Sequence, residues 1–193
     1  MANASTTGFG FRPIKKIAQN YNSAGLSEYS VAASSALISH AALCKLTGDG
    51  VVLASGDTDV TNLGTLNGVF YTDATTSKPT WSNYSPASNT ATDIVAFIND
   101  DPMQMFEVMS ADTAFNQNEV GHCADQVGAA GTSPLYVSSS KISATTANTQ
   151  AQLFILGVSK DPDHSDTTEE GFSLKVQIRE HILIGQNTQR AGI

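Results

Sequence analysis

The sequence is short of charge. Asp, Glu, Lys and Arg together make up 15% of its 193 residues, where a globular domain usually carries about a quarter. A helical bundle builds its surface from Glu, Lys, Arg and Leu, so this composition argues against one. Cysteine is scarce as well, with only Cys44 and Cys123. Neither belongs to a C-x-x-C or Cys/His zinc spacing. Sequence leaves a single disulfide open, and the expectation is two free thiols in a protein made in a cytoplasm. No run approaches the roughly 20 apolar residues of a membrane helix, so no membrane partner is expected. Residues 1–7 lack the apolar stretch of a signal peptide, and Ile14-Lys15-Lys16-Ile17 is too polar to supply it. The nucleophile elbow, the phosphate loop and the dinucleotide fingerprint are all missing. An enzyme is therefore not expected, nor are catalytic residues, a cofactor or a metal.

What is present is a 40% hydrophobic fraction, enough to bury a core, and an abundance of small uncharged residues. The length suits one domain, or one domain with an arm. The net charge of −8 is unevenly spread. Residues 1–48 hold four bases against one acid, residues 49–140 one base against eleven acids, and residues 141–193 five bases against six acids. The acidic middle is a poor surface for nucleic acid. The basic opening, "MANASTTGFGFRPIKK", suits an acidic protein partner better, and it carries two phenylalanines on either side of Gly10.

Residues 1–30 read as an arm, because small polar residues dominate and periodicity is weak. "EYSVAASSALISHAALCKLTGDG" fits either a short helix or alternating strands. Gly48-Asp49-Gly50 marks a turn between "ALCKLT" and "VVLAS", which predicts a hairpin. "TLNGVFYTD", "DIVAFIND", "MQMFEVMSAD", "AQLFILGVS" and "FSLKVQIREHILIG" continue the rhythm of short strands and Gly, Asp, Asn and Pro turns. In the last of these Leu174, Val176 and Ile178 alternate with Lys175, Gln177 and Arg179. "SKPTWSNYSPAS" reads as a strand edge broken by Pro79 and Pro86. The predicted fold is all-β: an antiparallel barrel or sandwich over residues 31–185, with an extended arm at 1–30 and a flexible tail at 186–193.

Clusters that invite chemistry are weak. Asp57, Asp59 and Asn62 echo a calcium loop, but the closing Glu is missing and a solvated turn is the simpler account. Asp100-Asp101-Pro102 pairs two carboxylates, which is also ordinary turn chemistry. His164 lies in an acidic loop. His122 and Cys123 are neighbours that a strand would point to opposite faces.

Several stretches nevertheless have a recognisable cadence: Gly68-Val69-Phe70, Tyr71-Thr72-Asp73, Lys78-Pro79, Ser82-Asn83-Tyr84, Ala96-Phe97, Asp100-Asp101-Pro102, Phe106-Glu107-Val108 and Ala151-Gln152-Leu153, with the opening quoted above. From the leader to about residue 184 the chain resembles small virion proteins of tailed bacteriophages, of the marine-phage type, that serve as capsid decoration or cement proteins. The resemblance implies a binding role without catalytic residues or cofactor. It implies a β-fold with an extended arm, and a dimer or trimer on the outside of an icosahedral head, assembled in the host cytoplasm. There it would tie neighbouring copies of the major capsid protein together.

The residues expected to hold the capsid are Phe9, Phe11, Arg12, Ile14, Lys15 and Lys16. An extended arm places residues 9 and 11 on one side, and strand addition would let pockets read both rings while the bases pair with acids on the shell. Two other functions fit less well. One is a tail- or fibre-associated receptor binder with Trp81, Tyr84 and Tyr71 stacking on glycans. The other is a hydrolase using Asp100 and Asp101.

Overall fold

The computed structural model describes residues 3–17, 25–33, 35–54, 61–128, 131, 134–143 and 151–184. Their regular elements are strands and three single 3-10 turns. The strands are β1 Arg12–Lys16, β2 Ser27–Ser30, β3 Leu43–Thr47, β4 Gly50–Leu53, β5 Asn62–Thr72, β6 Pro79–Ser82, β7 Val95–Asn99, β8 Gln104–Met109, β9 Cys123–Val127, β10 Lys141–Ser143, β11 Leu153–Val158 and β12 Ser173–Ile178. Two antiparallel six-stranded sheets result. Sheet I runs β1-β8-β12-β11-β9-β10; sheet II runs β2-β7-β5-β3-β4, with β6 added to β5. Of the two expected architectures, this is the sandwich and not a closed barrel.

Local chemistry places the strands. Gly48 and Asp49 make the β3–β4 hairpin, where Thr47 Oγ1 donates to Gly50 O at 2.8 Å. Asp100-Asp101-Pro102 carries the chain from β7 of sheet II to β8 of sheet I. Asp101 turns the backbone by accepting from Met103 N–H at 2.8 Å, an ordinary Asx-turn. Pro79 starts a strand at the sheet margin, where its missing N–H costs no ladder bond. Among the described residues of 31–42 the helix allowed by the alanines does not form; they connect β2 to β3, with single bridges at Val31, Ile38 and His40. The alternation of β12 ends at Ile178, and residues 182–184 make a 3-10 turn instead of continuing the strand.

The hydrophobic interior has two parts. One gathers Phe106, Val108, Leu153, Ile155, Phe172, Leu174, Val176 and Ile178 from sheet I with Leu43 and Ala54 from sheet II. The other gathers Cys44, Val51, Leu63, Leu66, Val69, Tyr71, Ala96 and Ile98, all from sheet II. Leu43 and Cys44 are neighbours on β3 and point to opposite faces, so this strand is buried on both sides. Sheet II curls around its own core: Ala32 N–H donates to Val51 O at 3.1 Å, and a single Val31–Val51 bridge brings its two end strands together. The expected facing of β12 holds for Leu174, Val176 and Ile178. Gln177, on the opposite face, is also buried, with its amide donating to Pro102 O at 2.7 Å.

The N-terminal segment corrects the expected domain boundaries. Residues 12–16 are the end strand of sheet I, paired with β8 from Arg12–Glu107 to Lys16–Gln104. Residues 27–30 pair with β7 at the end of sheet II. Pairing partners some ninety residues away in β8 decide this, and short-range periodicity carries no sign of them. Residues 186–193, the expected tail, lie outside the described residues.

Candidate interaction surfaces

From Asn3 to Lys16 the leader is tied to the rest of the chain. Asn3 is its first anchor: Nδ2 donates to the carbonyls of Asp166, Glu169 and Glu170 at 3.0, 3.1 and 3.0 Å, and Oδ1 accepts from Asp166 N–H at 3.0 Å. Gly10 follows with φ of 74° and lies against the Ala41 carbonyl, so closely that any side chain would collide with it. Phe11 is 0% exposed, inside the core of sheet I and edge-on to Phe106 at 6.5 Å. Its N–H donates to Ala41 O at 2.8 Å. Phe9 is half-buried against His164, with the Arg12 guanidinium 4.4 Å above its ring.

The bases of the leader meet acids of their own chain. Arg12 Nη1 lies 3.5 Å from Glu107 Oε2, and Lys16 Nζ lies 2.5 Å from Asp101 Oδ2. Glu107 is buried and also accepts from the Ser159 hydroxyl. Ile14 sits half-buried at a bulge between Pro13 and Lys15, and Lys15 is exposed. Of the six residues expected to hold a partner, Arg12 and Lys15 present themselves to solvent, and Phe11 is committed to the core.

Asp100 and Asp101 each hold a different strand. Asp100 accepts from Ser27 Oγ at 2.9 Å and from Tyr29 O–H at 2.6 Å, so it holds β2. Burial, reinforced by this carboxylate, pushes the Tyr29 phenol up to about 12. Asp101 holds the end of β1 through Lys16, and that ammonium draws its carboxyl below the ordinary value of 3.8. The two acids thus fasten the two strands that composition alone assigns to an arm. His164 Nδ1 lies 3.0 Å from Gly171 O, and no group of three potential metal ligands occurs among the described residues. Asp57 and Asp59 lie outside the described residues, while Asn62 is buried in β5. Cys44 and Cys123 are both free and buried; burial raises the Cys44 thiol to about 12. No helix among the described residues is long and apolar enough to cross a membrane.

The outer face of sheet II carries an aromatic cluster. Trp81 stands opposite Phe70 in the β5–β6 ladder, and Phe97 stands opposite Gly68 in the β5–β7 ladder. The indole crosses the strand at Gly68, where an added Cβ would lie 2.6 Å from Cζ2, and its ring centroid is 5.1 Å from that of Phe97. Trp81 remains 53% exposed and Phe70 43%. Tyr84 stacks on Tyr136 at 3.9 Å, and Tyr71 is buried in the second core. Of the three aromatics considered for glycan stacking, Trp81 is exposed, Tyr84 is half-buried and Tyr71 is buried. Phe70 and Phe97 were legible only as strand residues out of phase with the core positions Val69, Tyr71, Ala96 and Ile98. Their meeting depends on ladder register.

A concavity lies where the two sheets part. Register makes one cross-strand row of Leu43, Thr65 and Asn99. Leu43 is in the core shared with sheet I. Farther along the row, Thr65 and Asn99 line a cleft of about 330 Å³ together with Arg12 and Pro13 of β1, Leu26, His40, Ala41, Leu66 and Asn67. Comparison with known proteins found no match among protein-family models, curated proteins or solved structures.

Proposed function

We propose that this chain is a structural protein of a phage particle. It decorates the outer surface of the icosahedral head, ties neighbouring major capsid proteins together, and docks through the aromatic face of sheet II. The capsid assignment is supported by the sequence resemblance described above. The docking face is supported by one observation above the rest: Trp81 and Phe70 stand exposed side by side on one sheet, with Phe97 beneath. Tyr, Trp and Phe are enriched in the buried centres of protein interfaces, and a few such anchors carry most of the binding energy. A chain poor in long charged side chains also loses less rotamer freedom when it packs against neighbours.

The test is titration of purified protein onto undecorated heads. Saturable binding is expected at hundreds of copies per particle. Phe70→Ala with Trp81→Ala is expected to weaken it at least tenfold while leaving the fold intact, since both residues are already half-exposed. Undiminished binding by the double variant would remove the docking face from the proposal. A handful of copies per virion would favour the alternative, a tail- or fibre-associated receptor binder. Deletion of residues 1–16, the direct test of a free arm, removes β1 and a core phenylalanine, so loss of binding in that variant would report unfolding.

A further inference from the structure

We infer that the aromatic face of sheet II receives an arginine side chain of the partner protein, held between the Trp81 indole and the Glu28 carboxylate. The inference rests on the docking face proposed above and names the chemistry of what docks there. Ladder register builds the site. Phe97 of β7 stands opposite Gly68 of β5 on one side and opposite Glu28 of β2 on the other. Directly opposed residues of an antiparallel pair share a face, with Cα atoms about 4.5–5.5 Å apart. Glu28 therefore lies on the same outer face as Phe97, while its neighbour Tyr29 packs on the second core. From the other side the Trp81 ring crosses Gly68 and reaches Phe97, with 5.1 Å between ring centroids. The order across the sheet is indole, phenyl ring, carboxylate.

Charge sets the ligand class. Glu28 is exposed, and no hydrogen bond or ion pair engages it among the described residues. Asp93 adds a second exposed carboxylate at the end of β5, where it accepts from Thr72 N–H at 3.1 and 3.2 Å. Residues 49–140, which supply β5, β6 and β7, hold Lys78 as their one base against eleven acids. Arg12 and Lys16 are engaged by Glu107 and Asp101. A negative rim beside an electron-rich ring recognises a cation, and tryptophan is the best ring for it. Trp81 is still 53% exposed. A guanidinium is flat enough to lie on an indole while its edge N–H groups fork onto a carboxylate, which an ammonium cannot do. Phe70, between Val95 and Trp81 in the ladders, extends the apolar surface one strand period away. In an extended segment, an aliphatic residue two positions from the arginine would rest there.

The experiment follows the fluorescence of Trp81, the single tryptophan, as the full chain is titrated with three probes. They are a blocked pentapeptide with one arginine between leucines, the same peptide with citrulline in its place, and neutral chitotriose. A saturable change with the arginine peptide is expected, at least fivefold tighter than with the citrulline peptide, whose side chain keeps the shape without the charge. Amide shifts should centre on Glu28, Phe70, Phe97 and Trp81. Glu28 is exposed, so Glu28→Gln should keep the fold, with melting temperature as the control. It should weaken the arginine peptide at least threefold and leave the citrulline peptide unchanged. Equal affinity for the two peptides, no saturable change at 10 mM, or undiminished arginine binding by Glu28→Gln overturns the inference. Tighter binding of chitotriose assigns the face to glycans and overturns it as well. The docking face itself is judged on heads. If Glu28→Lys binds them as the parent does while the Phe70→Ala, Trp81→Ala double variant does not, the face stands and the arginine falls.

Discussion

Replacing Phe11 by alanine separates a folded leader from a free one. A free arm would tolerate the change, since exposed substitutions away from special features stay within about 0.5 kcal/mol. In the structure the ring is 0% exposed and edge-on to Phe106. Removing a buried phenylalanine costs the transfer of its atoms and the cavity left behind, about 3–5 kcal/mol together. For a domain of this size each kcal/mol lowers Tm by about 2–4 °C, so F11A should melt roughly 10 °C below the parent protein. Phe9 is an internal control only two residues away. It is half-buried, against His164 and Arg12, and F9A should cost about 1 kcal/mol. The assay is urea unfolding followed by the fluorescence of Trp81, the single tryptophan, checked by circular dichroism. A loss below about 1 kcal/mol in F11A, or equal losses in the two variants, would refute the placement of the leader in the core.

The ion pair at the end of β1 predicts a pH signature. Lys16 depresses the Asp101 carboxyl below 3.8, so its contribution is full above that value and is lost as pH falls through the lower folded value. Asp101→Asn should therefore be less stable than the parent at pH 7, by roughly 1 kcal/mol, with the difference closing below pH 3.8; a constant difference would reject the pair as its source. Both cysteines should resist Ellman's reagent in the folded protein and react on unfolding, giving two thiols per chain; rapid labelling without denaturant would contradict their burial. Gly68→Ala should displace the indole that crosses it and shift Trp81 emission to longer wavelength, and it should also cost stability, since the added Cβ would lie 2.8 Å from the Ser82 carbonyl of β6. An unchanged spectrum would place Trp81 elsewhere.

Much of the fold was legible because strands declare themselves locally. The alternation of Leu174, Val176 and Ile178 and the turn at Gly48-Asp49-Gly50 each act within a few residues and hold in the structure, whereas Pro79, read as a break, is the first residue of β6. The leader was misleading for the same reason. Ser, Thr, Asn and Gly around Phe9 and Phe11 carry no periodic pattern, and only contacts distant in sequence show that they are built in: Asn3 with the loop at 166–170, Phe11 with Phe106, and Lys16 with Asp101. Its basic charge was a true signal with a nearby target, since the acids it meets are Glu107 and Asp101 of its own acidic middle. The proposed docking face and the cleft were the least legible. Trp81, Phe70 and Phe97 come from three strands, and the cleft gathers residues from 12 to 99.

By itself the sequence determined the class of structure: β-rich, turn-rich, low in charge, with two cysteines among apolar neighbours. These follow from composition and from periodicities that act over a few residues. Tertiary structure alone decided that Arg12–Lys16 of the leader is a strand and that Phe11 is core. It also decided that three aromatics share one outer face and that the sheets part beside Asn99. Each of these depends on which strands pair and in what register, and register is set by packing between residues far apart in the chain.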